Sequence, residues 1–299
     1  MTNSGKRLTD LLDPNFMNRL DSLDIMSRKI LQGKLQGERR SKRRGQSVEF
    51  AEHRPYVEGD DLRFVDWNIY GRLERLFLKL FLEEQDLTVH IMADASGLMT
   101  LGEPSKELFI KKLTAALGYV SLVNNNRVTI SFFGDDIKGQ LANMRGRNCL
   151  HKMAEYLLTT DCEGLSHFDN ACRQLVAGRI GSGVMIVLSD FLFKDGYDSG
   201  LRRLIGRQYD LYAIQVLSAQ ELSPRFTGDL KLLDIEDADA AEITVSSALL
   251  KYYKRNLTAY CNELKDFCSQ RGAVYVLANS ADSVESLVLN YLRRIRLLR

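Results

Sequence analysis

The chain has 299 residues, 45% of them apolar and 27% charged, with a formal net charge of +2. That is room for one large α/β domain with an extension, or for two domains, and it excludes global charge as a reason to bind nucleic acid or membrane. No apolar run approaches the roughly 18 residues that span a bilayer, Met1–Asp10 has no apolar stretch, and the five cysteines form no C-x-x-C pair, so free thiols and a cytoplasmic location are expected.

Residues 1–46 read as a first segment. Leu11, Leu12, Phe16, Leu20, Leu23 and Ile30 recur at helical spacing. A polar, glycine-bounded loop follows, in which Lys34, Arg39, Arg40, Lys42, Arg43 and Arg44 are opposed only by Glu38. Such a run could hold phosphates, but no aromatic residues or nucleic-acid motif accompany it. Nucleic-acid binding through residues 34–44 is therefore a secondary alternative.

Residues 47–86 are dense in charge and aromatics: Glu49, Arg54, Tyr56, Asp60, Asp61, Arg63, Asp66, Trp67 and Arg72. Pro55 and Gly59 bracket a turn. The structural reading is a salt-bridged clamp around Trp67 that packs this block on the domain after it. The functional reading makes Asp60 and Asp61 metal ligands or an acid–base pair, which needs perturbed carboxylates in a cleft. The block ends in the strand-compatible run Leu76–Leu82.

Residues 87–299 alternate strands and helices. Strands are predicted at 87–93, 127–133, 184–189, 211–217 and 273–277. Helices are predicted near 105–124, 148–158, 167–177, 198–207 and 247–271, and a last one at 283–299. A small strand pair near 230–235 and 243–245 is placed at an edge. Runs such as Val184-Met-Ile-Val-Leu188 are apolar on both faces, as in a parallel sheet covered by helices. The expected fold is α/β, a doubly wound, mostly parallel sheet with an N-terminal helical and charged extension.

Two strands end in aspartate, Asp94 and Asp190, so parallel neighbours would bring both carboxylates to one sheet edge, where ligands bind at the switch point. Ser96 lies two residues past Asp94, and Ser166 precedes a helix between the two strands. Asp94, Ser96, Ser166 and Asp190 could surround one hard divalent ion, and magnesium needs few protein oxygens. The plainer reading is that these are turn and cap residues; Ser166-His-Phe-Asp169 fits a capping box. His90 reads as a hydrogen-bonded core residue. No zinc, nucleotide or hydrolase motif occurs.

Asp94-x-Ser96, Ser166 and Asp190 resemble the metal-ion-dependent adhesion site of a von Willebrand factor A domain. The stretch from Gly45 to Trp67, with Lys79, Glu83 and Glu84, resembles domain-of-unknown-function family 58, whose bacterial members carry it just before an A-like domain and are often encoded beside MoxR-type AAA+ ATPases. The resemblance spans about residues 14–280. It implies a chaperone-like accessory role with that ATPase as protein partner and no small-molecule substrate. It also implies that Asp94 and Ser96 match the first two ligands, Ser166 replaces a threonine and Asp190 matches the final aspartate. In such domains the metal keeps an open position that an acidic residue of the partner fills. Leu98 stands where a third hydroxyl would be, so the site is degenerate, with magnesium weakly held or absent, and serine at Leu98 is expected to raise metal affinity if the other ligands are intact. The enzyme alternative is a metal-dependent hydrolase using Asp94, Asp190 and Asp60.

Overall fold

The computed structural model describes residues 8–27, 49–82, 87–178, 183–206, 209–224, 228–233 and 240–299, with backbone alone at 49–52, 79–82, 228–233 and 240–244. The basic cluster at 34–44, Ile30, Glu83, Glu84 and the side chains of Glu49 and Lys79 lie outside the described set. The chain divides into two compact units, Met1–Gln36 with Leu87–Arg299, and Gly37–Asp86. The N-terminal segment thus groups with the large unit. Its helix α1, Pro14–Leu20, is capped by the Asp13 side chain, which accepts the Asn15 N–H at 2.7 Å, and has proline in its first turn.

In the small unit, β1 (Glu49–Pro55) pairs antiparallel with β2 (Phe77–Leu82), and α2 (Trp67–Leu73) lies between them in sequence. Asp66 caps α2 by accepting the Asn68 and Ile69 N–H groups, and its other oxygen lies 3.0 Å from His53 Nε2. Asp60 accepts the Val57 N–H and the Arg54 guanidinium, both at 2.9 Å, while Asp61 pairs with Arg63 at 2.6 Å. Tyr56 donates its N–H to the Leu76 carbonyl, and Arg72 is exposed on α2. The charges brace turns and one helix start. They do not enclose Trp67, which is 61% exposed and meets Tyr70 edge-on. A clamp around the tryptophan, as the sequence suggests, is not what forms, because Asp60, Asp61 and Asp66 each accept a backbone N–H within three residues.

In the large unit the elements follow as β3 (Thr88–Asp94), α3 (Lys106–Val123), β4 (Arg127–Phe133), β5 (Ile137–Met144), α4 (Leu150–Thr159), α5 (Phe168–Ala177), β6 (Gly183–Ser189), α6 (Asp198–Ile205), β7 (Tyr209–Leu217), α7 (Ala219–Leu222), β8 (Gly228–Leu233), β9 (Ala240–Val245), α8 (Ser247–Gln270) and β10 (Val274–Asn279). The main sheet runs β10-β7-β6-β3-β4-β5, parallel except for β5. From β3 the chain steps outward to β4 and β5, then returns to the other side of β3 and steps out through β6, β7 and β10. The winding reverses between β3 and β6, which makes the carboxyl ends of those strands the switch point. Hairpin β8–β9 forms its own two-stranded sheet rather than an edge of the main one.

Alternate residues of each central strand point to opposite faces. Ile91, Ile130, Ile186 and Ile214 face one core, completed by Leu113, Leu117 and Val120 of α3 and by Phe16 and Leu20 of α1. Met92, Phe133, Val187 and Ala213 face the other, completed by Phe168, Leu201, Leu204, Leu264 and Phe267.

Both ends of the chain depart from the sequence expectation. Helix α1 stops at Leu20, and Ile25 forms a β-bridge with Leu298, while the Asp24 and Met26 N–H groups go to the carbonyls of Arg299 and Leu297. The predicted last helix is a short turn, Val284–Ser286, and a wider π-type coil, Leu287–Leu292. Arg296 then takes a left-handed backbone (φ 61°), which turns Leu297 and Leu298 back into the core. Apolar spacing is satisfied at both ends by burial without continued helix.

Candidate functional site

The β3 and β6 ends deliver Asp94 and Asp190, 1% and 2% exposed, to the switch point. Asp94 closes a local turn: its Oδ1 accepts the Ser96 N–H at 2.9 Å, and its Oδ2 accepts the Ser189 hydroxyl at 2.6 Å. Burial first, then the negative charge of Asp190, pushes the Asp94 carboxyl up to about 7, against the hydrogen bonds from Ser189 and Ser96. Asp190 Oδ1 accepts the Leu192 N–H at 3.0 Å, and its carbonyl accepts from Gln215 Nε2 at 2.7 Å.

Ser166 arrives on the loop between α4 and α5. That loop is stitched to the β3 and β4 ends by three backbone hydrogen bonds, Glu163 N–H to Ala95, Gly97 N–H to Gly164 and His167 N–H to Gly134. Lys138 adds a fourth tie by donating to the carbonyls of Ala95 and Glu163. The capping-box reading of Ser166 fails. The cap position of α5 is His167, no side chain caps that helix, and Ser166 Oγ is buried without a hydrogen-bond partner. Ser96 Oγ is close enough to favour the Asp94 charge, yet it too meets no partner in hydrogen-bond geometry. Buried hydroxyls are rarely left so.

All four residues and Leu98 line one cleft of about 160 Å³, closed by Leu165, His167, Leu192 and Phe193, with Lys194 and Asp195 also in its wall. Leu98 is half-buried and leans on the large core cluster, so it forms a hydrocarbon wall. Next in sequence to Asp190, Phe191 carries a left-handed backbone (φ 58°), uncommon for a bulky residue. Its N–H donates to Ser189 Oγ at 3.0 Å, its carbonyl accepts from Tyr260, and its ring is buried among Phe168 and Phe193. Such strain concentrates at functional sites, where the surroundings over-determine it.

Sequence reasoning missed Lys106. Its ammonium is 0% exposed and donates to Asp190 Oδ2 and to Glu221 Oε1, both at 2.7 Å. Burial works against its charge, but Asp190 and Glu221 outweigh burial and hold its pKa above the ordinary lysine value. Glu221 is fixed by a full capping box with Ser218 at the start of α7. The pattern Ser218-x-x-Glu221 was visible in the chain; its link to Lys106 was not.

The donor set fits a divalent ion only in part. The two free hydroxyls suit one, but each carboxylate oxygen already accepts a hydrogen bond, Asp190 is neutralised by an ammonium, and Leu98 offers no oxygen. Among the described residues no cluster of three histidine, cysteine or acidic side chains stands in metal-binding geometry. Asp60, tied to Arg54 and its own turn, lies in the small unit. Burial pushes the Cys162 and Cys268 thiols up to about 12, away from the reactive thiolate. Among the described residues no helix is long and apolar enough to cross a membrane.

A family described as "Protein of unknown function DUF58" matches residues 52–277. The chain is 24% identical over 259 residues to the uncharacterized proteins Mb1516 of Mycobacterium bovis and Rv1480 of Mycobacterium tuberculosis, covering 84% of this chain and 80% of each relative. Among solved structures it is similar to BatB from Bacteroides thetaiotaomicron, at 12% identity and TM-score 0.42 over 70% of this chain and 98% of that one. It is also similar to the SpRpn10 VWA domain, at 10% identity and TM-score 0.39 over 69% and 95% of the two chains.

Proposed function

The chain belongs to the family described as protein of unknown function DUF58, and from that membership and the switch-point geometry we propose that it is a non-catalytic, cytoplasmic accessory protein that docks a protein partner at the strand-end edge. The partner is an AAA+ ATPase of MoxR type, and the pair acts in assembling or activating other proteins. The observation that carries the reading is the pair of buried, unpartnered hydroxyls, Ser96 Oγ and Ser166 Oγ, lining a cleft beside Asp94 and Asp190. Hydroxyls left without partners inside a protein are costly unless something else completes them. Here they offer donors to an acidic or amide side chain entering from the partner. Magnesium is weakly held or absent at this edge, a reading supported by Leu98 and by the hydrogen bonds already occupying both carboxylates.

One observation favours a hydrolase instead: a carboxyl with its pKa near 7, beside a second carboxylate, suits acid–base work. Against it, both Asp94 oxygens are held by Ser96 and Ser189, and burial alone is the larger cause of the shift. The docking reading is tested by pull-down of the co-encoded ATPase with wild type and with Asp94→Ala. Loss of capture in the variant is expected. Equal capture would remove the edge from the mechanism.

A further inference from the structure

Lys106 is in an unfavourable place for a cation. It is the first residue of α3, where the helix dipole favours negative charge, and it is wholly buried, where an ammonium loses its hydration. Two carboxylates hold it there. Asp190 comes from the strand-end site itself, and Glu221 is pinned from behind by the Ser218 cap. Nothing about α3 needs a lysine at this position, since Ser105 already caps the helix by accepting the Leu108 N–H. What the lysine does is neutralise the carboxylate that, with Asp94, would face a bound ion.

We propose that Lys106 is the resident cation of this edge: its ammonium supplies, through Asp190, the positive charge a divalent ion would otherwise provide, and so makes the edge independent of metal. Leu98 then has a companion. One residue removes a ligand oxygen and the other removes the electrostatic demand for an ion. A consequence separates this account from one in which Leu98 alone is responsible. Restoring serine at Leu98 does not restore metal binding while Lys106 stays in place. Removing the lysine charge leaves the buried Asp190 and the half-buried Glu221 without their shared counter-charge, and the cleft with its two free hydroxyls becomes a divalent-ion site.

The inference rests on the strand-end edge as the working site, but its test reads ion binding on the full chain without partner, so its failure and that of the docking reading are separately visible. Manganese binding is followed by electron paramagnetic resonance and by the thermal unfolding midpoint, in wild type, Lys106→Met, Leu98→Ser and Lys106→Met with Asp94→Asn. Expected is a gain of at least about tenfold in manganese affinity for Lys106→Met, lost again with Asp94→Asn. The Lys106→Met midpoint rises by about 5 °C at an ion concentration roughly 100 times the dissociation constant. Wild type and Leu98→Ser show neither effect. The proposal is overturned if wild type binds manganese as tightly as Lys106→Met, or if folded Lys106→Met gains nothing. It is equally overturned if Leu98→Ser binds the ion with Lys106 intact. That last variant decides the question alone should Lys106→Met fail to fold.

Discussion

His90 shows what burial does to a single residue. It is 0% exposed in the middle of β3, its Nε2 lies 3.0 Å from Ser131 Oγ, and burial holds its pKa down at about 4. The unfolded chain takes up that proton near pH 6.5, the folded one only near pH 4, so between those values the unfolded state binds more protons and stability falls as the pH falls. Full stability from this residue is present above about pH 6.5 and is lost down to about pH 4, on the order of 3 kcal/mol. Urea unfolding at pH 7.5 and pH 4.5 should show the loss in wild type and a clearly smaller one in His90→Gln; equal losses would place the acid sensitivity elsewhere. The site residues divide in the same physical terms. Asp94 and Asp190 were legible because each ends an apolar run, and the period of a strand then fixes where it points. Ser166 was legible as a candidate but not as an uncapping residue, because the helix begins one residue later than its pattern implies. Lys106 and Glu221 were not legible: their contact joins the start of α3 to the start of α7, and no local spacing encodes a meeting made by the sheet order.

At the scale of elements, the central strands declare themselves by composition, and β5 does not. Its pattern alternates polar and half-buried residues through Lys138, Gln140 and Asn143, the mark of an edge strand with one wet face. The charged block reads in sequence as a salt-bridged clamp around Trp67, yet the ring is 61% exposed, since sequence shows which charges are neighbours but not which side of them an aromatic ring takes. Helix α1 is a seven-residue element whose stability comes from packing rather than length. Phe16 and Leu20 sit in the large core, 6% and 0% exposed. Leu20→Ala should therefore cost about 3 kcal/mol in chemical denaturation, whereas a helix lying loosely on the surface would lose a few tenths. Gly183 at the start of β6 is a second test: a methyl there would stand 2.0 Å from the Thr88 carbonyl oxygen. Gly183→Ala should lower the unfolding midpoint sharply or abolish soluble expression, because neither backbone can yield without breaking the β3–β6 pairing that positions Asp94 beside Ser189.

For the molecule as a whole, the order of the strands carries the functional argument. It reverses between β3 and β6, so two carboxylates, two hydroxyls and the lysine that neutralises one of them converge at a single edge of the large unit. The alternation of strands and helices made the doubly wound, mostly parallel sheet readable in advance. The tie between chain ends was not readable, because the β-bridge of Ile25 with Leu298 depends on where the last coil turns. Deleting Leu297–Arg299 should therefore lower the midpoint of the entire large unit in one transition, visible by calorimetry, rather than fray one end. The central claim is docking at this edge without a metal. Titration calorimetry of the full chain against a purified MoxR-type ATPase, the proposed partner, in EDTA and in magnesium, with wild type and Asp94→Asn, tests it most directly. Equal wild-type affinity in the two buffers and a loss of at least about tenfold, or roughly 1.4 kcal/mol, in Asp94→Asn is the predicted result. Wild-type binding that vanishes in EDTA, or an Asp94→Asn variant that binds as tightly as wild type, would contradict it.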